Sequence, residues 1–259
     1  MRNTIEQRFS VAGRVALVTG AGSGIGAHFA TMLAEHGVRV AVAGRRMDRL
    51  EAVASNINSE GGSAIACVMD VSDRDSIKRA FDAIEDRWGA VDILVNNAGQ
   101  TSRTSFVDMA PEEWTSVIDV NLSAPYFVSK EMAVRLIAKG QKGAVVNIAS
   151  ILGKGAIQNF SSYGTSKGAL IQLTKYLAMD LLPHHIRVNA IAPGYFPSEM
   201  TNPFFETDLG KQAIASLPPK RLGRVEELDG ALLLLVSEAG SYINATTITV
   251  DYGHSERLS

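Results

Sequence analysis

Tyr163 and Lys167 stand four residues apart, and Ser150 lies thirteen residues before the tyrosine. On a helix that spacing is about one turn, so the phenol and the ammonium would share a face. A cation held beside a phenol favours the phenolate and lowers its ordinary pKa of about 10. A tyrosine tuned in this way can pass a proton near neutral pH. Ser150 closes a very apolar run, 144–149, where its hydroxyl could hold a substrate oxygen at the mouth of a sheet. The same Tyr-x-x-x-Lys spacing recurs at Tyr126 and Lys130, inside a long amphipathic segment. Tyr126 reads as a helix-surface or interface residue, so spacing alone does not choose between the two copies.

Short β-branched runs alternate with longer amphipathic segments. The expected strands cover 15–19, 38–43, 64–69, 91–95, 144–149, 186–191 and 246–250. The expected helices cover 24–36, 47–60, 73–88, 112–139, 162–182 and 226–237, with Pro111 suited to the first turn of the fourth. The strands are apolar throughout rather than alternating, which implies that both faces are covered. Strict β–α alternation implies an α/β fold with a parallel, doubly wound sheet and right-handed crossovers. No linker rich in Pro, Gly or Ser divides the chain, so one domain over 1–259 is expected.

The chain has 259 residues, 46% of them hydrophobic, and a net charge of -2. Such a balance gives no sign of a nucleic-acid partner, which would usually need a basic domain. No apolar stretch reaches the roughly 20 residues of a membrane span. The first ten residues are polar and lack a signal-peptide core. The single cysteine, Cys67, excludes an internal disulfide, and its apolar neighbours mark it as a core residue. A cytoplasmic address follows by default.

The first strand ends in Thr19-Gly20-Ala21-Gly22-Ser23-Gly24-Ile25-Gly26. Glycines at a strand-to-helix turn let the backbone approach a pyrophosphate, which then meets the free N–H groups of the helix start. The second strand should end near an adenosine ribose, where NAD-binding proteins usually place a carboxylate. Here the residues are Arg45 and Arg46, and Asp48 falls inside the next helix. Two guanidiniums suit a 2′-phosphate, so NADP(H) is expected over NAD(H).

Together with Asn96-Asn97-Ala98-Gly99, Asn121 and Pro193-Gly194, these residues resemble the classical short-chain dehydrogenase/reductase family over nearly the whole chain. The resemblance implies a Rossmann-type sheet of seven parallel strands in the order 3-2-1-4-5-6-7, with helices on both faces. It implies a catalytic set of Asn121, Ser150, Tyr163 and Lys167. Tyr163 would be the general acid for ketone reduction and the base for alcohol oxidation. Ser150 would bind the substrate oxygen, and Lys167 the nicotinamide ribose. Asn121 would support a water joining Lys167 to solvent. Gly20, Ser23, Gly24, Ile25, Gly26, Asp70, Val71, Asn97, Ala98, Gly99, Pro193 and Gly194 would line the cofactor. The family also implies a homotetramer or homodimer, with the 112–139 and 162–182 helices as its faces. This chain departs from the family at Asn244 and Tyr252, positions where glycine is frequent.

No metal is needed, and the five histidines show no ligand spacing. Substrate choice should lie in a lid over 194–215, with Tyr195, Phe196, Met200, Phe204 and Phe205 as its apolar residues. The segments 100–103 and 151–155 should form the other walls, with Ile151 beside the substrate and Gly153 leaving room near the reacting carbon. Lys154 is the nearest candidate to bind an anionic group. The expected activity is an NADPH-dependent carbonyl reductase acting on a hydrophobic ketone. A 3-oxoacyl-thioester reductase uses the same core, and a nucleotide-sensing scaffold of the same fold would be catalytically silent.

Overall fold

The computed structural model describes residues 4–197 and 205–256. Seven strands form one parallel sheet in the order β3-β2-β1-β4-β5-β6-β7. They are β1 (Val15–Thr19), β2 (Arg39–Gly44), β3 (Ser63–Val68), β4 (Ile93–Asn96), β5 (Gly143–Ile148), β6 (Ile186–Pro193) and β7 (Thr247–Val250). Successive residues of one strand serve opposite layers. Ala16 and Val18 of β1 enter one core with α2 (Gly24–Glu35) and α3 (Met47–Ser59). Val15 and Leu17 enter the other with α4 (Arg74–Trp88). Every residue of β1 and β5 is buried, as apolar runs without alternation require.

The start of one strand follows from a polar demand. Residues 91 and 92 were expected in β4, which begins at Ile93. Asp92 is instead committed to the start of β1: its carboxylate accepts from Val15 N at 3.2 Å, and its carbonyl accepts from Arg14 at 2.8 Å. An added helix, α1 (Ile5–Phe9), opens the described chain under a capping box between Thr4 and Gln7. That Thr-x-x-Gln spacing was legible in the sequence.

The single helix expected over 112–139 is interrupted. It runs as α5 (Pro111–Ile118), a π-helical turn (Asp119–Ser123), and α6 (Ala124–Lys139). Pro125 explains the break. It has no N–H to meet the Asn121 carbonyl, and its ring would clash with that carbonyl in a regular helix. The wider turn places Asn121 at the break with no exposed surface. After it come α7 (Ser161–Asp180), a helix over Asp208–Ser216, and one over Asp229–Val236 preceded by a 3-10 turn.

Candidate active site

The glycines and polar residues expected to hold a cofactor gather at the C-terminal ends of the strands, where an open parallel sheet leaves its crevice. The β1–α2 turn is built by exclusion. Gly20 holds a left-handed φ of 64°, and a Cβ there would stand 2.8 Å from Ala98 Cα. Thr19 Oγ1 accepts from Asn97 N and Ala98 N, both at 3.0 Å. Asn97 Nδ2 donates back to the Thr19 and Gly20 carbonyls at 3.0 and 3.2 Å. The side chain of Asn97 therefore ties the end of β4 to the glycine turn. Its neighbour Gly99 lies within reach of both Asn121 and Lys167.

A cleft of about 760 Å³ runs from this turn to Tyr163. Gly20, Ser23, Gly24, Ile25, Arg45, Arg46, Asp70, Val71, Asn97, Ala98, Gly99, Pro193 and Gly194 all line it. Gly26 stands behind them, packed on the Gly20 carbonyl. Arg45 and Arg46 are exposed at the tip of β2, and Asp48 lies in α3. The size suits a large cofactor, and the close approach at Gly20 leaves backbone where a Cβ would fill the cradle.

Ser150, Tyr163 and Lys167 close the other end. Ser150 follows β5 and caps a short 3-10 turn, its Oγ accepting from Leu152 N at 3.1 Å. Tyr163 and Lys167 share a face of α7, with Lys167 Nζ 5.7 Å from the tyrosine ring centre. Tyr126, the competing copy, is 39% exposed on α6 and outside the cleft.

The electrostatics differ from the spacing argument. Burial raises the Tyr163 pKa, and a hydrogen bond with Ser150 opposes it. No lowering by Lys167 offsets it; Nζ instead donates to the Ile148 carbonyl at 2.8 Å. Burial also lowers the Lys167 pKa from 10.5 to about 8. The unfolded chain then binds more protons than the folded one between those two values. The lysine's contribution to stability grows as pH rises across that window and is lost as pH falls through 8. The wild type should therefore gain on Lys167→Met between pH 8 and 10, by on the order of 2 kcal/mol. Melting temperatures of the pair measure this; a difference that stays flat or shrinks rules it out.

Asn121 spends its side chain inside the protein. Its Oδ1 accepts from Gln100 N at 2.9 Å, and its Nδ2 donates to the Gln100 carbonyl at 2.9 Å and Ser166 Oγ at 3.0 Å. It positions the 100–104 segment behind Lys167. Glu113 holds the same segment from α5 by accepting from Ser102 and, at 2.6 Å, from Thr104. Nothing in the sequence pattern marked Glu113 for that task.

A second pocket of about 300 Å³ opens on Ser150 and Tyr163. Ile151, Tyr195 and Phe205 line it as expected, with Thr101 and Arg103 on the facing wall. Three expectations need correction. Gly153 does not face the pocket; a Cβ there would meet the Lys167 backbone at 2.7 Å, so its smallness serves packing against α7. Phe196 turns inward, 6% exposed, with its ring over Gly223, so it is a core residue at the cleft floor. Lys154 does not line the pocket and pairs at the surface with Glu256 at 3.0 Å. Met200 and Phe204 lie outside the described residues. Phe160, whose ring stands 6.4 Å from that of Tyr163, and His254 are pocket residues the sequence did not reveal.

A protein-family model described as enoyl-(acyl carrier protein) reductase matches residues 20–255. A short-chain type dehydrogenase/reductase of Mycobacterium marinum superposes with a TM-score of 0.92 at 36% identity, covering 97% of this chain and 99% of that one. This chain is a short-chain dehydrogenase/reductase. Within that family it is 37% identical to gluconate 5-dehydrogenase of Gluconobacter oxydans, over 95% of this chain and 96% of the relative. It is 34% identical to a 3-oxoacyl-[acyl-carrier-protein] reductase of Thermotoga maritima, over 93% and 97%. The crystal structure of a gluconate 5-dehydrogenase from Burkholderia cenocepacia, in complex with NADP and tartrate, superposes with a TM-score of 0.92 at 34% identity, over 97% and 98%. Both departures of this short-chain dehydrogenase/reductase have local accounts. Asn244 Oδ1 accepts from Val188 N at 2.8 Å at the start of β6, a bond glycine could not supply. Tyr252 takes a left-handed φ of 57°, a conformation glycine adopts without strain. No helix among the described residues is long and apolar enough to cross a membrane.

Proposed function

We propose that this enzyme interconverts a ketone and a secondary alcohol, with NADP(H) as hydride carrier. One observation carries the reading. Ser150 and Tyr163 border both the large cleft and the smaller pocket, so a carbonyl held by them sits between cofactor and substrate spaces. Bound in the cleft, the nicotinamide supplies the hydride. Ser150 and Tyr163 both aim hydroxyls at the carbonyl oxygen, where negative charge develops, and Tyr163 hands over its proton. Burial raises its pKa, so Tyr163 enters the reaction protonated. Lys167 would hold the nicotinamide ribose. The Asn121 carbonyl, deprived by Pro125 of its helical donor, would hold a water behind the lysine. The backbone at Pro193 and Gly194 would fix which face of the nicotinamide is presented.

The apolar walls from Ile151, Ile157 and Phe160 support a ketone with hydrophobic surface. Relatives named for gluconate and for 3-oxoacyl thioesters keep both substrate classes in view. The experiment is a panel of ketones and alcohols with NADPH and NADH, read by nicotinamide absorbance. A panel that stays dark despite NADPH binding would replace this reading with a silent nucleotide sensor.

Arg45 and Arg46 support NADP(H). In Arg45→Ala, NADPH should bind about tenfold more weakly while NADH affinity stays within about twofold, since the 2′-phosphate alone meets the guanidinium. Fluorescence titration measures both; equal losses would reduce the arginine to a surface charge. The reading includes a cytoplasmic homo-oligomer, tetramer or dimer, supported by exposed Val134 on α6 and by Tyr176 and Met179 on α7. Its mass in solution is the measurement.

A further inference from the structure

The substrate pocket of about 300 Å³ has a neighbour of about 120 Å³, lined by Phe196, Pro219, Arg221, Glu227 and Val250 among others. Among the described residues, Tyr195, Leu217 and His254 border both spaces. Each is held in place. Tyr195 follows β6, and its carbonyl accepts from Gly223 N at 2.8 Å. Its ring stands edge-on to Phe205 and to His254, with ring centres 5.9 and 5.5 Å away. His254 lies in the turn that Asp251 braces by accepting from Gly253 N at 2.9 Å and Ser255 N at 2.7 Å.

Leu217 ends the helix over Asp208–Ser216. Its N–H donates to the Ile214 carbonyl at 3.1 Å, and its own carbonyl accepts from Lys220 N at 2.9 Å. Pro218 and Pro219 fill the middle of that turn, and their rings fix φ. The buried Leu217 side chain therefore stands on stiff backbone, between the two spaces. Behind it the charged groups have partners. Arg221 meets Glu227 in a two-point pair at 2.7 and 2.8 Å, and Glu227 Oε2 also accepts from Arg224 N at 2.8 Å. Phe196, Leu217, Pro219 and Val250 supply apolar lining beside that pair, which suits hydrocarbon.

We propose that Leu217, backed by the Tyr195 ring, is a specificity-determining residue: it ends the substrate pocket and shuts the alkyl end of a ketone out of the 120 Å³ space behind it. This rests on the ketone-reductase reading above and adds a length limit to that same pocket. Tyr195 also borders the cofactor cleft, whereas Leu217 does not. Length selection at Leu217 is therefore separable from cofactor binding.

The test uses the full chain with NADPH and two probes, 2-hexanone and 2-decanone. The wild type should favour 2-hexanone in kcat/KM. In Leu217→Ala the wall shrinks to a methyl group, and the ratio of 2-decanone to 2-hexanone should rise about tenfold or more, chiefly through KM, as burial of two or more further methylenes supplies. Leu217→Val opens the wall less and keeps more of the packing; there the ratio should rise about two- to fourfold. Tyr195→Phe keeps the ring, so its ratio should stay within about twofold of the wild type. NADPH affinity, read by fluorescence, should hold in both Leu217 variants. A substitution that merely loosens the site changes both ketones alike. An unchanged ratio in Leu217→Ala, or in Leu217→Val where the alanine variant does not fold, overturns the proposal. So does a wild type that already favours 2-decanone. Either result leaves the ketone-reductase reading standing. A wild type that reduces neither probe also overturns the proposal, and it removes the underlying reading as well if the wider ketone panel stays dark with NADPH bound.

Discussion

Tyr163→Phe should bind NADPH within about two- to threefold of the wild type and lose about 10²–10⁴-fold in kcat, the range that a positioned proton donor supplies. The substitution removes one hydroxyl and leaves the ring, its contact with Phe160 and the α7 backbone in place. The hydroxyl it removes is a desolvated group whose partner is Ser150. Stability should therefore change little, and a melting curve checks that. What disappears is the proton for the developing alkoxide. Ser150 still donates one hydrogen bond there, so the reaction keeps part of its electrostatic stabilisation and none of its acid. Single-turnover reduction at saturating NADPH isolates the chemical step. A variant that turns over at the wild-type rate would remove Tyr163 from the mechanism, whatever its position in the cleft.

How far the sequence reaches depends on which physical signal carries each feature. β1 was read at its true bounds because four apolar residues in a row, closed by Thr19 and the glycine turn, suit a strand buried on both faces in a β–α alternation. The parallel sheet followed from the same alternation, and its strand order from the family resemblance. The π turn was missed because apolar periodicity over 112–139 barely changes when one turn widens by a residue. Pro125, in plain view, carried the information. The pairing of Tyr163 with Lys167 was legible because α7 converts a spacing of four into a shared face. Pocket membership was not. His254 meets Tyr195 only because β6 and β7 pair in parallel, with Pro193 opposite Val250, nearly 60 residues along the chain. Phe196 and Phe205 look alike in the sequence, and Gly223 decides between them by leaving space for the Phe196 ring. Gly153 was misread for the same reason: smallness announces a close approach without naming what approaches.

That last distinction decides the other large effect expected, at Gly26. A Cβ on Gly26 would fall 2.4 Å from Asn97 Nδ2 and 2.5 Å from the Gly20 carbonyl oxygen. Both atoms belong to the clasp that ties the β1 turn to β4, and Nδ2 already donates to that carbonyl at 3.2 Å. Neither can swing aside. The carbonyl is backbone, and the amide is held at 3.0 Å by the Thr19 carbonyl as well. The first turn of α2 must retreat from the strand, and the loop that approaches the pyrophosphate moves with it. Gly26→Ala should cost about 1–3 kcal/mol of stability, as overpacking typically does, and about 10²-fold or more in NADPH affinity, since helix N–H groups lose their aim. Gly22→Ala is the matched control. Its Cβ would meet Arg49 Cβ at 3.2 Å, a contact that a shift of a few tenths of an ångström relieves. Denaturant titration and NADPH fluorescence on the pair separate the two sites. If Gly26→Ala binds NADPH as tightly as Gly22→Ala, the turn tolerates displacement, and the cofactor is held chiefly by Arg45, Lys167 and the other end of the cleft.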